Sequence, residues 1–133
     1  MEVLDLKGSL EFSPERHVYK FLANTPLCSI SVVGWEPGQT SPIHSHPGAD
    51  EIYHVLEGEG LFNDGRKEVR LGPGDTVIFP AGEVHRVQSL TRMVLYRVQP
   101  GLTGMWSDWT HGRRPEHEVW AEIHASPLGH RGA

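Results

Sequence analysis

Residues 38–58 read GQTSPIHSHPGADEIYHVLEG, and this stretch decides the fold of the 133-residue chain. It contains His44 and His46, which are two residues apart. In an extended strand such side chains point to the same face, so both imidazoles can reach one point. A Pro-Gly turn at residues 47–48 can bring the chain back and place Glu51 beside them. The stretch therefore predicts two histidines and a carboxylate that converge.

A second stretch, GDTVIFPAGEVH at residues 74–85, supplies a further histidine, His85. The two stretches resemble the two motifs of the cupin family, G-x5-H-x-H-x3,4-E-x6-G and G-x5-P-x-G-x2-H-x3-N. Every position of the first motif is met between Gly38 and Gly58. The second is met by Gly74, Pro80, Gly82 and His85. Its final Asn is replaced by Ser89, which puts a turn contact in doubt but not a metal ligand.

The resemblance implies an all-β fold, an antiparallel double-stranded β-helix or jelly-roll barrel. The strand pattern agrees, because short runs of β-branched and aromatic residues are bounded by Gly, Pro and Asn. Eight such runs are present: His17 to Leu22, Leu27 to Trp35, Ile52 to Leu56, Gly60 to Asn63, Glu68 to Leu71, Thr76 to Phe79, Val84 to Ser89 and Met93 to Val98. No helical stretch separates them, which excludes a parallel α/β fold.

The sequence after Pro100 loses this alternation. Pro115 followed by EHEVWAEIHA predicts one short C-terminal helix, because Pro is favoured in the first helical turn. Its apolar side would carry Val119, Trp120 and Ile123. We expect a single domain over residues 1–133, with the barrel at about 10–100, a C-terminal extension at 101–133 and a frayed end.

Composition and charge exclude several classes of partner. A formal net charge of −5 and a pI near 6.0 leave no basic face for nucleic acid. No signal peptide or apolar stretch of membrane-span length is visible, so the expected location is the cytoplasm, with no membrane partner. Cys28 is the one cysteine, so no disulfide can form within the chain, and we expect it to be a small apolar strand residue.

The predicted ligand set, His44, His46, Glu51 and His85, has a definite metal preference. Three imidazoles and one carboxylate suit one divalent transition metal ion such as Fe, Mn, Ni, Cu or Zn. Ca and Mg prefer shells made entirely of oxygen. Four protein ligands leave two positions of an octahedron, and the family geometry implies that these two are adjacent. A substrate could then chelate the metal, or bind beside dioxygen.

Strand alternation from the ligands predicts the residues of the substrate pocket. Four are expected to face the interior: Tyr53, Val55, Val87 and Trp35. On the strand that ends at Trp35, either Ser31 and Val33 face inward with it, or the alternate pair Ile30 and Val32 does. We favour the first set.

Other histidines and one arginine have plainer interpretations. His54 lies three residues after Glu51 and should face away from it. The histidines outside both motifs are expected to be solvated or helical: His17, His111, His117, His124 and His130. Only one of Tyr96 and Arg97 can reach the pocket, because they lie on opposite faces. We expect Arg97 to be a solvated edge charge, although a buried one would select a carboxylate-bearing substrate.

The resemblance implies three candidate functions. The first is a dioxygenase like quercetin and acireductone dioxygenases, in which the metal chelates an enolate or enediol-type substrate and Glu51, the catalytic residue, takes up a proton. The second is an isomerase or lyase for a sugar, hydroxy-acid or keto-acid, with Glu83 or Tyr53 as the nearest base. The third is a non-catalytic, metal-dependent binding module for a small molecule.

The open sheet edges of a small barrel also predict a homodimer. The segment Leu10 to Leu22 precedes the first motif and could pair with a partner's sheet. Phe12, Tyr19 and Phe21 are the apolar residues that we expect such an interface to bury.

Overall fold

A computed structural model describes residues 1–100 and 110–125. Within them lie eight strands: β1 Val18–Thr25, β2 Cys28–Trp35, β3 Glu51–Glu57, β4 Gly60–Asn63, β5 Glu68–Leu71, β6 Thr76–Phe79, β7 Arg86–Ser89 and β8 Met93–Pro100. The helices are α1 Leu6–Ser9, which the sequence did not predict, and α2 Glu116–Ala125, which it did. A 3-10 turn at Thr110–Arg113 precedes α2. The predictions for the last residues and for His130 concern positions outside the described part of the chain.

The strands form two antiparallel sheets. One has five strands in the order β1-β2-β8-β3-β6, and the other has three in the order β5-β4-β7. Neighbours in the first sheet are distant in sequence, as when β2 pairs with β8 over its whole length. The predicted all-β jelly roll with a short C-terminal helix is confirmed.

Boundaries of β1, β2, β3, β7 and β8 differ from the sequence prediction by one to three residues, and for β7 and β8 the reason is identifiable. β7 begins at Arg86 rather than Val84, because His85 pairs only with His44 in an isolated bridge. β8 continues to Pro100 rather than Val98, because its end still pairs with Cys28 at the start of β2. Both changes occur at the end of the barrel that carries the motif histidines.

The main core lies between the two sheets. Val55 and Leu95 are paired across β3 and β8, and Phe62 and Val87 are paired across β4 and β7 in the facing sheet. These four side chains and Trp35 belong to one cluster of buried residues. Alternate residues of each strand thus enter the core, as the period of a pleated strand requires.

Gly58, the last residue of the first motif, closes the turn after β3. Its φ of 76° lies in the left-handed region, and a Cβ there would be 1.9 Å from the carbonyl oxygen of Arg92. Any side chain would therefore clash with fixed backbone, which explains why the turn needs glycine.

A second, smaller cluster fastens α2 to the outside of the barrel. Val119 and Ile123 of α2 are buried against Ile43 and Val84, and Trp120 packs beside them. The two barrel residues each immediately precede a motif histidine in the sequence. Residues of α2 thereby support the segments that position two of the predicted ligands.

The N-terminal segment contributes a side chain to the barrel itself. Tyr19 packs against the main core, so it is already used within the chain, whereas Phe21 is 55% exposed. Phe21 thus remains available to the homodimer interface, which stays a prediction. In the described part of the chain, no helix is long and apolar enough to cross a membrane.

Candidate metal centre

Backbone hydrogen bonds bring the two motifs together. The amide of His44 donates to the carbonyl of His85 over 3.1 Å, and the amide of His85 donates back over 2.9 Å. The carbonyl of His46 accepts from the amide of Gly82 over 3.1 Å. Backbone segments about forty residues apart are therefore held side by side by the fold itself.

Four side chains converge at this end of the barrel: His44, His46, Glu51 and His85. Their ligand atoms all lie within 4.8 Å of one another, and all four residues are buried. The Nε2 atoms of His46 and His85 are 2.9 and 2.7 Å from the Glu51 carboxylate, and that of His44 is 3.9 Å away. This buried group of three nitrogens and one carboxylate could hold a divalent transition metal ion.

Hydrogen bonds to backbone carbonyls fix the ring orientation of two of the histidines. His44 donates from Nδ1 to the carbonyl of Pro42 over 2.9 Å, and His85 donates from Nδ1 to the carbonyl of Glu83 over 2.9 Å. A carbonyl can only accept, so Nδ1 of both rings carries a proton, and each ring would bind a metal through Nε2. Both Nε2 atoms point toward the shared site, where that of His85 lies 2.7 Å from Glu51 Oε1. Phe79 also stacks on the His85 ring at 4.0 Å.

The protonation states suit metal binding. Burial by itself would raise the pKa of Glu51, but hydrogen bonds from His46 and His85 and the charge of Arg97 hold it well below its usual range. Burial, and then repulsion from His85, lowers the pKa of His44 to about 3. At neutral pH the carboxylate is ionised and His44 is neutral, which is the form that a metal ion requires.

Arg97 corrects the sequence prediction of a solvated edge charge. It is 5% exposed, and its Nε donates to Glu51 Oε2 over 2.6 Å. Gln99, on the same face of β8, donates from Nε2 to the same oxygen over 3.2 Å. The prediction was wrong because Met93 and Leu95 of this strand face the core, and the alternation carries Arg97 inward with them. The side chains of Arg97 and Gln99 therefore orient the Glu51 carboxylate through its Oε2 atom.

Two tyrosines form a hydrogen-bonded pair next to this site. The hydroxyl groups of Tyr19 and Tyr53 are 2.5 Å apart, and Tyr53 follows Glu51 by two residues on the same face of β3. Burial, and then the charge of Glu51, raises the pKa of Tyr19 to about 12 and raises that of Tyr53 as well. At neutral pH both hydroxyl groups are protonated and can donate a proton or a hydrogen bond.

The other predicted pocket residues belong to the hydrophobic core. Val55, Val87 and Trp35 are fully buried among apolar side chains rather than beside the histidines. In β2, Val33 and Trp35 belong to that core cluster and Ser31 pairs with Arg97, as the favoured set requires, although Val32 of the alternate set is also buried. Tyr53 belongs to the same core cluster, but the charge of Glu51 acts on its hydroxyl group, which is hydrogen-bonded to that of Tyr19.

The remaining described histidines lie elsewhere. His54 faces outward and its Nδ1 is 2.7 Å from Thr76 Oγ1. His17 contradicts its interpretation as solvated, because its ring stacks on Trp35 at 4.0 Å and 9°. Burial, and then repulsion from Arg16, lowers its pKa to about 4. His111 is half-buried in the 3-10 turn, and His117 is exposed on α2.

Ser89 performs the turn contact that the motif assigns to Asn. Its hydroxyl donates to the carbonyl of Glu36 over 2.6 Å and accepts from the amide of Gln39 over 3.1 Å. Both partners flank the start of the first motif at Gly38. The substitution therefore preserves the link between the two motifs.

Comparisons with known proteins agree with this architecture. The family model described as the cupin domain matches residues 31–101. An oxalate-binding protein of Thermotoga maritima is 40% identical over 53 residues, which cover 40% of this chain and 44% of that protein. An acireductone dioxygenase of Rhodopseudomonas palustris is 37% identical over 73 residues, covering 50% of this chain and 44% of that protein. The match thus spans less than half the length of either curated relative.

A solved structure gives a longer match. The protein TT1209 of Thermus thermophilus superposes with a TM-score of 0.70 at 31% identity. The superposition covers 76% of this chain and 98% of the Thermus protein. The similarity therefore extends over most of this chain and nearly all of the other.

Proposed function

This chain belongs to the cupin family, and we propose that it is a metal-dependent dioxygenase of small molecules, with an enolate or enediol-type substrate. The observation that carries the proposal is the buried set of His44, His46, Glu51 and His85, whose ligand atoms lie within 4.8 Å of one another. The name of the Rhodopseudomonas relative, acireductone dioxygenase, supports the choice of reaction.

The four residues would hold one ion of Fe, Mn, Ni, Cu or Zn. When bound, that ion would supply Lewis acidity and two further coordination positions for a chelating substrate and dioxygen. Because Nδ1 of His44 and of His85 is engaged by a backbone carbonyl, each ring would bind the ion through Nε2. The burial of the set excludes bulk water from the reacting atoms.

Glu51 is the proposed catalytic residue. One of its oxygens, Oε2, is engaged by Arg97 and Gln99, while Oε1 is closer to His85. The ionised carboxylate can accept the proton that an enol-type substrate loses when it binds. Hydrogen bonds from His46 and His85, and then the charge of Arg97, keep the pKa of Glu51 low before that step, and Arg97 also holds the orientation of the carboxylate.

Metal content and oxygen uptake test this function. Protein purified without added metal is analysed for bound elements, where iron, nickel or copper favours oxidation and zinc favours the alternative below. A flavonol, catechol or acetylacetone should then change the metal spectrum at stoichiometric amounts and consume dioxygen under air. Binding without oxygen uptake across Fe, Mn, Ni and Cu would rule out the dioxygenase.

Variants of Glu51 test its role. Glu51→Gln keeps the shape of the side chain but removes the basic carboxylate, so we expect turnover to fall by about 10²–10⁴-fold and substrate binding to fall much less. Glu51→Ala should have the same effect with some loss of metal. His54→Ala is the matched control and should change neither quantity. Equal losses of turnover and binding in Glu51→Gln would remove the proton-accepting role.

The Tyr19–Tyr53 pair favours a second candidate, a metal-dependent isomerase or lyase that acts on a sugar, hydroxy-acid or keto-acid. Two protonated hydroxyl groups beside Glu51 could return a proton to a carbon or an oxygen of the substrate. This function predicts exchange of substrate hydrogen with deuterated water under nitrogen, and loss of that exchange in Tyr53→Phe. Ligand binding with neither exchange nor oxygen uptake would instead favour the non-catalytic module, which the name of the oxalate-binding relative supports.

A further inference from the structure

Strands β2 and β8 carry four buried polar atoms that have no hydrogen-bond partner among the described residues. One is Trp35 Nε1, within the hydrophobic core, and the other three lie on neighbouring residues of the two strands: Ser31 Oγ, Arg97 Nη1 and Gln99 Oε1. None has a hydrogen-bond partner within residues 1–100 and 110–125, and each of the three residues is at most 5% exposed. An unpaired buried polar group is costly, so three in one place call for a partner other than the described residues, and a bound ligand can supply one.

These atoms are neighbours beside the candidate metal centre. Ser31 and Arg97 are directly paired across β2 and β8, so their side chains leave the sheet side by side on one face. Gln99 follows Arg97 on that face. Arg97 Nε and Gln99 Nε2 are already bonded to Glu51 Oε2, so the unpaired atoms of these two residues belong to side chains that contact a predicted ligand.

The charge of the site favours an anion. Arg97 is always protonated and balances the charge of Glu51, to which it is bonded. The three histidines are neutral when they bind a metal. A divalent ion would therefore keep its full positive charge in a buried site, where electrostatic interactions are strong. A ligand that carries negative charge would neutralise it.

We propose that Ser31, Arg97 and Gln99 form a subsite for a small acid that carries a hydroxyl group, of an alcohol or an enol, next to its carboxylate. Arg97 Nη1 and the Ser31 hydroxyl donate to the carboxylate, and Gln99 Oε1 accepts from the hydroxyl group of the ligand. Both ligand groups carry oxygens that can also bind the metal. The inference rests on the proposed metal centre and names the class of substrate that this centre takes.

The test compares two chelators on nickel-loaded protein by calorimetry under nitrogen, so that neither can be oxidised. Glycolate has the carboxylate and the hydroxyl group, whereas acetylacetone chelates metals without a carboxylate. In Ser31→Ala, which removes no observed contact, glycolate affinity should fall about tenfold or more, because a hydrogen bond to a charged group is lost. Arg97→Lys, which loses the planar fork, should lower it at least as much. Acetylacetone affinity and nickel content should stay constant in Ser31→Ala.

The matched control is His17→Phe. It also removes an unpaired buried polar atom, His17 Nδ1, but His17 stacks on Trp35 at the other end of β2. Glycolate affinity should be unchanged in this variant. Equal glycolate affinity in wild type, Ser31→Ala and Arg97→Lys would overturn the subsite, even if nickel and acetylacetone bind normally. Failure of the wild type to bind nickel would instead overturn the metal centre on which the subsite depends.

Discussion

The two ends of the barrel interior are equally buried, but one is lined by apolar side chains and the other by polar and charged ones. Trp35 and Leu95 lie at one end within the hydrophobic core, and Glu51 and His85 lie at the other within the candidate metal centre. All four are at most 1% exposed. Burial alone therefore does not separate the residues that stabilise this fold from those that could bind a ligand.

One strand joins the two ends. Along a single face of β8, Met93 and Leu95 enter the core, and Arg97 and Gln99 enter the polar end. The apolar pair stabilises the fold through area removed from water. Arg97 and Gln99 can be buried because each donates one hydrogen bond to the carboxylate of Glu51. We expect changes at the first end to alter the stability of the whole domain and changes at the second to alter ligand binding.

The largest expected effect is at the apolar end. Leu95→Ala should lower the free energy of unfolding by about 2–5 kcal/mol, because it leaves a cavity in a fully packed core. Chemical denaturation of the metal-free protein measures this change. Ile78→Ala, at a position 57% exposed on the edge strand β6, is the control and should stay within about 0.5 kcal/mol of wild type. Loss of metal from folded Leu95→Ala would show that the two ends are not separable.

At the polar end, His85→Ala should abolish stoichiometric metal binding. It should also remove the stabilisation that a metal confers by binding the native state alone, about 2.7 kcal/mol at a metal concentration of 100 Kd. Elemental analysis and thermal melts with and without metal measure both effects. His44→Ala and His46→Ala should also lose the metal and the stabilisation that it confers, whereas His54→Ala should keep both. Metal loss in His54→Ala with retention in His85→Ala would mean that the strand register is wrong.

The smallest effect concerns His17, a titratable residue at the apolar end. Its pKa is lowered from 6.5 to about 4 in the folded chain, so the fold disfavours the protonated ring. The contribution of the neutral His17 ring to the free energy of unfolding is therefore complete above pH 6.5 and is lost as the pH falls toward 4. His17→Phe should reduce the acid-induced loss by on the order of 1 kcal/mol, since the ring is partly exposed.

Thermal melts of metal-free wild type and His17→Phe at about pH 7.5 and about pH 4.5 measure that difference. All other titratable groups are the same in both proteins, so their effects cancel in the comparison. Identical pH dependence of the two proteins would show that the stacked ring titrates as a solvated one.

Features set by local spacing could be read from the chain. His44 and His46 share a face because they are two residues apart, and the turn at residues 47–48 returns the chain to Glu51. The helix after Pro115 follows from the same kind of local rule. Arg97 could not be placed in this way, because both faces of β8 are plausible interiors. Val94, Tyr96 and Val98 are in fact the more apolar set.

The sequence by itself determined an antiparallel barrel, since turns and strand period act over a few residues, and the resemblance to the two cupin motifs implied the four residues that converge at one end. Only the tertiary structure decided what surrounds them. The pairing of β8 between β2 and β3 turned Arg97 toward Glu51 and Ser31, and the position of β1 brought Tyr19 to Tyr53. The physical reason is that these contacts join strands far apart in the chain, where the fold selects the buried face and local hydrophobicity does not.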